Sequence, residues 1–318
     1  MDIQMLPAID HNFKDQHEQG ERSFPIQYYV DELEKYPGRQ IALHWHPELE
    51  FYVAQGCPLK VQLGQSFAVL QEGDGIFLNA NFLHAYYPAV EGCSTHPNFV
   101  FSPELIAPYG SSAFAKYIQP IIEDKEIPYI LLKPGTPWQK EVLDLVDKAC
   151  SLLQKYCRAS EHYGQFPMLP FDHANIESPC YELEIQTLLG QIWKTIYANR
   201  DAIPKIAVKK SNQILQVRMQ KMLAFIQKNY ARQISLEEIA TSAGVSKSEA
   251  ARCFDSYLHQ SPGSYLLEYR LEMAQKLLSY EHYTIAEIAE KCGFGSSSYF
   301  CKIFKRELGV TPLQYRNQ

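Results

Sequence analysis

The sequence predicts an α+β multidomain protein, with an N-terminal jelly-roll-like β-barrel, a helical segment after it and an all-α C-terminal domain. Three observations carry this. Short runs rich in β-branched and aromatic residues fill the stretch from about Ser23 to Pro134. Apolar residues then switch to helical spacing between Thr136 and Asn199. A two-helix pattern finally occurs twice, at an offset of 49 to 50 residues, near the C-terminus.

The β runs are PIQYYV, RQIALHWH, ELEFYVA, LKVQLG, SFAVL, DGIFLNA and YILL. Pro37-Gly38, Gly56, Gly64 and Gly73-Asp74-Gly75 break them apart, so a sandwich or small barrel is expected over residues 1–135. Residues 136–203 read as two amphipathic helices. One stripe runs Trp138, Val142, Leu145, Val146, Ala149, Leu152, Leu153; the other runs Leu183, Ile185, Leu188, Leu189, Ile192, Trp193, Ile196. A Pro- and His-containing loop at 158–180 joins them. Their faces are broad enough to cover the barrel and to pair with a second copy in a homodimer, and burial within one subunit explains each position equally well. Residues 200–211 are charged and contain a proline, as a linker would. The C-terminal domain is placed at 204–318.

With 318 residues, 46% of them hydrophobic, the chain can build two or three cores. The net charge of −6 hides an asymmetry: from Pro204 onward there are 16 basic and 10 acidic residues, a net of +6, which leaves −12 for the rest. The basic end suits nucleic acid and the acidic part repels it. Met1 to Gln19 lacks the basic start and apolar run of a signal peptide, and no stretch approaches 18 uninterrupted apolar residues, so no membrane is expected. Eight scattered cysteines without a CxxC pair argue against a disulfide scaffold or zinc ribbon and fit a reducing cytoplasm.

In the repeat, Ile239-Ala240 and Ser242-Ala243-Gly244-Val245 match Ile288-Ala289 and Lys291-Cys292-Gly293-Phe294. Phe254, Ser261-Pro262 and Tyr265 match Phe304, Thr311-Pro312 and Tyr315. Ser235 with Glu238, Ser246 with Glu249, Thr284 with Glu287 and Thr311 with Gln314 each read as a reciprocal capping box. Pro262 and Pro312 stand at first helical positions, where a missing N–H costs nothing, and a further helix should open near Gly295 or Ser296. In each copy a small Ala lets two helices approach, and a Gly accepts the φ > 0 of a tight turn, which is what a helix-turn-helix requires. The units are expected at about 235–257 and 284–307. A connecting helix from Pro262 to about Tyr280 would span about 28 Å, close to the roughly 34 Å of one DNA turn.

On the first recognition helix Lys247, Ser248, Ala251 and Arg252 face outward, and Arg252 can make a bidentate contact to guanine. On the second, Ser297, Ser298, Cys301 and Lys302 face outward, with Lys305 and Arg306 suited to phosphates. Over about residues 212–318 the chain resembles the AraC/XylS family of transcription regulators. The likeness is carried by Ile285-Ala286-Glu287-Ile288-Ala289, Cys292-Gly293-Phe294, Tyr299-Phe300, Ile303-Phe304-Lys305 and Gly309 to Arg316. The resemblance implies base contacts at Ser248, Ala251, Arg252, Ser297, Ser298 and Lys302. Ala250 stands where the family has a larger aliphatic and Asp255 where a base is common, which puts the first unit's binding in question.

Gly38, His44-Trp45-His46, Glu50, Gly75 and His84 reproduce the spacing GxxxxxHxHxxxE followed by a Gly and a distant His, and residues 23–135 resemble a cupin barrel. Alternation puts His44 and His46 on one strand face, where Glu50 and His84 can join them. This set either binds a divalent transition metal or lines a pocket for a polar effector, and Trp45, Tyr52 and Tyr86 suit stacking on a sugar ring and equally suit the core. No cofactor is required under the second reading. The family resemblance implies a transcription activator governed by a carbohydrate effector, with double-stranded DNA and RNA polymerase as partners. The competing expectations are a metal-dependent cupin enzyme fused to a DNA-binding module, and a constitutive DNA-binding protein whose barrel is only a dimer scaffold.

Overall fold

The computed structural model describes residues 24–92, 95–156, 180–207, 210–279 and 283–317. The stretch from Met1 to Gln19 and the loop read at 158–180, Cys180 excepted, lie outside the described residues. The chain divides into two compact units at residues 209 and 210. Among the described residues, no helix is long and apolar enough to cross a membrane.

The first unit contains two antiparallel sheets. One has the order β1 (Ile26–Glu32), β8 (Thr95–Phe101), β3 (Leu49–Val53), β6 (Gly75–Leu78), β9 (Tyr129–Leu132). The other has the order β2 (Ile41–His44), β7 (His84–Pro88), β4 (Leu59–Leu63), β5 (Ser66–Leu70). Strands β7 and β8 fall outside the runs that composition marks as β, because His, Asn and Pro dilute them. In β8, Pro97 pairs with Val30 of β1, while pairing with β3 stops at Asn98, so the proline sits where the strand has a single neighbour.

The two-residue period of the five-stranded sheet sorts its side chains into two layers. Leu49, Phe51, Phe77, Phe99, Phe101, Ile130 and Leu132 face a core shared with helices α2 (Pro137–Tyr156) and α3 (Tyr181–Ala198), which follow the short α1 (Gln119–Ile122). Tyr52, Ile76 and Leu78 turn the other way and pack with Leu59, Val61, Leu63 and Tyr86 of the second sheet. The helices lie close: a Cβ on Gly75 would stand 2.7 Å from Cδ2 of Leu143. Trp193 packs edge-on to Phe77 at 5.8 Å and donates its indole N–H to the Tyr117 carbonyl at 2.9 Å.

Both helical stripes are therefore spent inside the subunit, each fully buried Leu, Ile or Val stabilising it by about 1.5–3 kcal/mol. Leu183, 62% exposed, is the part of the second stripe left outside. Residues 200–207, expected to belong to a linker, are fastened to this unit. Ile203 joins its core, the Ile206 N–H donates to the Glu126 carbonyl at 2.9 Å, and Lys205 pairs with Asp124. Cys57 is disulfide-bonded, a link that the scatter of the cysteines did not point to.

The second unit is helical throughout its described length: α4 (Lys210–Asn229), α5 (Leu236–Ser242), α6 (Lys247–Leu258), α7 (Pro262–Leu278), α8 (Ile285–Lys291), α9 (Ser297–Leu308) and α10 (Pro312–Arg316). Ser235, Ser246, Ser261, Thr284, Ser296 and Thr311 cap helices α5 to α10, each accepting from a backbone N–H in the first turn. Three of the four expected capping boxes close reciprocally, at Ser235, Thr284 and Thr311. The fourth is half a box. Ser246 accepts from the Glu249 N–H, but the Glu249 carboxylate turns away to two arginines.

Helix α7 has 17 residues, about 25 Å, and serves both helix-turn-helix elements. Its first half sets Tyr265 against Phe254 at 5.7 Å, and its second half buries Leu271, Ala274 and Leu278 with Ile288, Ala289, Phe300 and Phe304. Arg270, midway along, donates through Nε to the Tyr230 carbonyl and through Nη2 to the Arg232 carbonyl, each at 2.8 Å. The turn of the second helix-turn-helix element closes on the same spot. Gly293 has φ +74°, and a Cβ there would stand 2.3 Å from the Tyr230 carbonyl oxygen and 3.0 Å from Nε of Arg270.

This contact separates two otherwise equivalent glycines. Gly244, φ +66°, has no atom within 4 Å of a Cβ, so Gly244→Ala should cost only the left-handed backbone penalty, about 1–2 kcal/mol. Gly293→Ala should cost clearly more, because a carbonyl and a guanidinium must also move. Urea denaturation of the two full-length variants measures the difference, and equal losses would show that the Tyr230–Gly293 approach is no constraint.

Candidate functional site

Helices α6 and α9 each bury one face and expose the other. Ala250, Cys253, Phe254 and Tyr257 are buried on α6, and Phe300, Ile303 and Phe304 on α9. Of the residues singled out on the opposite faces, Lys247, Ser248, Arg252, Ser297, Ser298, Lys302, Lys305 and Arg306 are exposed, while Ala251 is half-buried. Their charges are handled differently. Lys247 pairs with Glu237 at 2.8 Å and Arg252 with Glu249 at 2.8 Å, whereas Arg306 pairs with its neighbour Glu307. Lys302 and Lys305 have no carboxylate partner among the described residues.

In the first unit all six residues expected at the pocket come together. His44 ends β2 opposite His84, the first residue of β7, with ring centroids 4.1 Å apart. His46 lies beyond the end of β2, in the loop to β3, rather than on the strand as alternation suggested. Its carbonyl accepts from the Asn81 N–H at 2.7 Å, which holds that loop in place. Glu50 comes from the inward face of β3. Each imidazole is oriented by a backbone carbonyl: Nδ1 of His44 is 2.8 Å from Ala42 O, Nδ1 of His84 2.8 Å from Phe82 O, and Nδ1 of His46 3.2 Å from Glu48 O. A carbonyl only accepts, so each Nδ1 carries the hydrogen and each Nε2 is turned to the cluster.

The potential ligand atoms of the three histidines lie within 4.8 Å of one another. Oε2 of Glu50 is 3.1 Å from Nε2 of both His46 and His84, and Oε1 accepts from the Tyr86 hydroxyl at 2.8 Å. Tyr86 stacks on Tyr52 with centroids 4.0 Å apart, so both rings belong to the core between the sheets. Burial alone would raise the pKa of Glu50, but contacts with His46 and His84 hold it far below the carboxylate range. Burial works against a charged His46, yet Glu50 outweighs it and raises that pKa. His44 lacks such a contact, and burial followed by the two neighbouring imidazoles pushes it well down. Nε2 of His84 is buried and not aligned for a hydrogen bond. Three converging imidazole nitrogens, one of them orphaned, beside an anionic carboxylate fit a divalent transition ion.

Sequence reading missed a second buried carboxyl beside this cluster. Asp31 accepts from the Tyr36 hydroxyl at 2.5 Å and from Nδ2 of Asn98 at 2.6 Å, and desolvation raises its pKa to about 6. The signal was present in β1, where Gln27, Tyr29 and Asp31 alternate with Ile26, Tyr28 and Val30. It becomes legible once β8 is known to lie alongside.

A carboxyl whose pKa is higher folded than unfolded loses stability as pH rises from the unfolded value, 3.8, through the folded one, about 6. Relative to Asp31→Asn, the wild type should therefore weaken between pH 4 and pH 7, by up to about 3 kcal/mol at 1.36 kcal/mol per unit. Denaturant titrations of both proteins across that range check this, and a difference independent of pH would refute it.

A family model described as a helix-turn-helix domain matches residues 239–318. The HTH-type transcriptional regulator YdeC of Bacillus subtilis is 29% identical over 316 residues, 97% of each chain. Among solved structures, an AraC-type transcriptional regulator from Chromobacterium violaceum is 31% identical, covering 32% of this chain and 92% of that one, with a TM-score of 0.31. The DNA-binding domain of AdpA in complex with a target DNA is 30% identical, covering 31% and 90%, with a TM-score of 0.30. The doubled two-helix unit, the family model over residues 239–318 and the likeness to an HTH-type regulator along 97% of the chain lead to one conclusion: this is a transcriptional regulator whose C-terminal unit carries an AraC-type helix-turn-helix domain that binds DNA.

Proposed function

We propose that this regulator is controlled by a small molecule bound at the His44, His46, Glu50, Tyr52, His84, Tyr86 cluster, and that Lys247, Ser248, Ala251, Arg252, Ser297, Ser298, Lys302, Lys305 and Arg306 face the duplex. The observation that carries the first part is a buried, pre-oriented set of imidazoles, carboxylate and phenols, which is costly to bury and which the surrounding apolar core does not need. Its mixture of donors and acceptors suits a sugar or sugar derivative. The effector acts by binding one arrangement of the protein better than another, since equal affinity would shift nothing. Activation of transcription through RNA polymerase, and a homodimer formed through the helical segment 136–203, complete the reading. Because the stripes of α2 and α3 are buried, such a dimer uses their polar outer face, where Lys140, Asp144, Lys148, Gln191 and Lys194 lie.

A second reading of the same cluster is favoured by the convergence of three Nε2 atoms. His44, His46, His84 and Glu50 would hold a divalent metal, which would supply a Lewis acid to which an effector's oxygens could bind. Metal analysis of the purified protein, together with thermal shift against a panel of sugars, separates the two. Stoichiometric metal lost in His84→Ala supports the metal centre. Metal-free protein stabilised by a sugar supports direct recognition, and metal-free protein with no response at millimolar concentrations would refute both.

The duplex face makes its own forecast. On a duplex selected by this protein from a randomised pool, Arg252→Ala should lose about 1–3 kcal/mol and discrimination at one base pair. Lys302→Ala should flatten the salt dependence by about one unit in the log–log slope. Fluorescence anisotropy over a salt series reads both quantities, and two variants indistinguishable from the wild type would overturn the assignment of the face.

A further inference from the structure

Glu249 departs from the local rule that the other boxes obey. Standing three residues after Ser246, it has the position and side chain to close a capping box, as Glu238, Glu287 and Gln314 do on their own helices. Its N–H does bond Ser246, at 3.2 Å, but its carboxylate reaches across to Nη1 of Arg218 on α4 at 2.7 Å and along α6 to Nη2 of Arg252 at 2.8 Å. One carboxylate thus restrains two guanidiniums, one of which is the first recognition helix's candidate for reading guanine. Lys247, the other cation of that helix, is paired with Glu237 across the turn. The second recognition helix has no such arrangement at Lys302 or Lys305 among the described residues.

We infer that Glu249 is a specificity-determining residue of the first recognition helix: it fixes the orientation of Arg252 for a base edge and keeps Arg252 and Arg218 from serving as general phosphate contacts. This rests on the reading that Arg252 faces DNA. A fork held in one direction matches the paired acceptors of a guanine in the major groove but adapts poorly to phosphates at arbitrary positions. The carboxylate also brings a negative charge toward the backbone of any duplex that does not supply a matching donor, such as the cytosine amino group. The first helix-turn-helix element therefore contributes selectivity, and the second, with its unpaired lysines, contributes most of the sequence-independent attraction.

The test uses full-length wild type, Glu249→Gln and Arg252→Ala on two 40-base-pair probes, a duplex selected by the wild type from a randomised pool and the unselected pool itself. Glutamine keeps the backbone bond to Ser246, and an unchanged melting temperature confirms the fold. Glu249→Gln should bind the unselected pool several-fold more tightly. Its salt slope should be steeper by about 0.9 for each arginine that gains a phosphate, and the ratio of selected to unselected affinity should fall. If Arg252→Ala loses selectivity while Glu249→Gln matches the wild type or weakens on both probes, the role of Glu249 is overturned and the duplex face stands. If Arg252→Ala matches the wild type on both probes, the duplex face fails at this helix and the inference fails with it.

Discussion

The meeting of Arg270 with the carbonyls of Tyr230 and Arg232, and of Gly293 with the same Tyr230 carbonyl, is the constraint on which the DNA-binding unit depends. Two helix-turn-helix elements joined by a single helix could still swing about its ends. Here the turn of the second element is seated on the chain leaving α4, which belongs to the first, and the rod between them donates to that same chain. The spacing of the two recognition helices is therefore held at three points within one folded unit. A rigid pair can address a duplex without losing the freedom of its own parts on binding.

In the first unit the comparable constraint is the alternation along β3. Leu49 and Phe51 turn toward the helices and hold the sheet to α2 and α3, whereas Glu50 and Tyr52 turn toward the other sheet and enter the polar cluster. A slip of one residue would bury the carboxylate under the helices and turn phenylalanine into the polar cluster. Fold and site are thus specified by the same five residues. The cost of burying Glu50, Asp31 and three histidines is offset only because each has a partner fixed by backbone or by a neighbouring side chain.

The two recognition helices are alike in backbone and unlike in charge. Both start at a serine cap and bury an aromatic face, yet α6 carries equal numbers of basic and acidic residues and α9 an excess of basic ones. The net positive charge of the C-terminal region is for this reason a poor guide to which element attracts a polyanion. What decides it is which carboxylates reach which cations, and in α6 they reach Lys247 and Arg252.

Much of this was legible residue by residue. Caps at Ser235, Thr284 and Thr311, glycines at the two turns, prolines at the first positions of α7 and α10 and the two-residue period of β3 are properties of a few adjacent residues, and short-range sterics and hydrogen bonding dictate them. The convergence of His44, His46, Glu50 and His84 could be anticipated from their resemblance to the cupin spacing. Strands β7 and β8, the attachment of Ile203 and Ile206, the buried Asp31, the Arg270 junction and the diversion of Glu249 could not. Each depends on a partner that the chain brings near only after folding: β1 beside β8, the Glu126 carbonyl beside Ile206, Tyr230 beside Gly293, Arg218 beside Glu249. Sequence determined most of the elements and their faces because those follow from neighbours along the chain; tertiary structure decided where β7 and β8 pair and which charges and carbonyls meet, because that follows from neighbours in space.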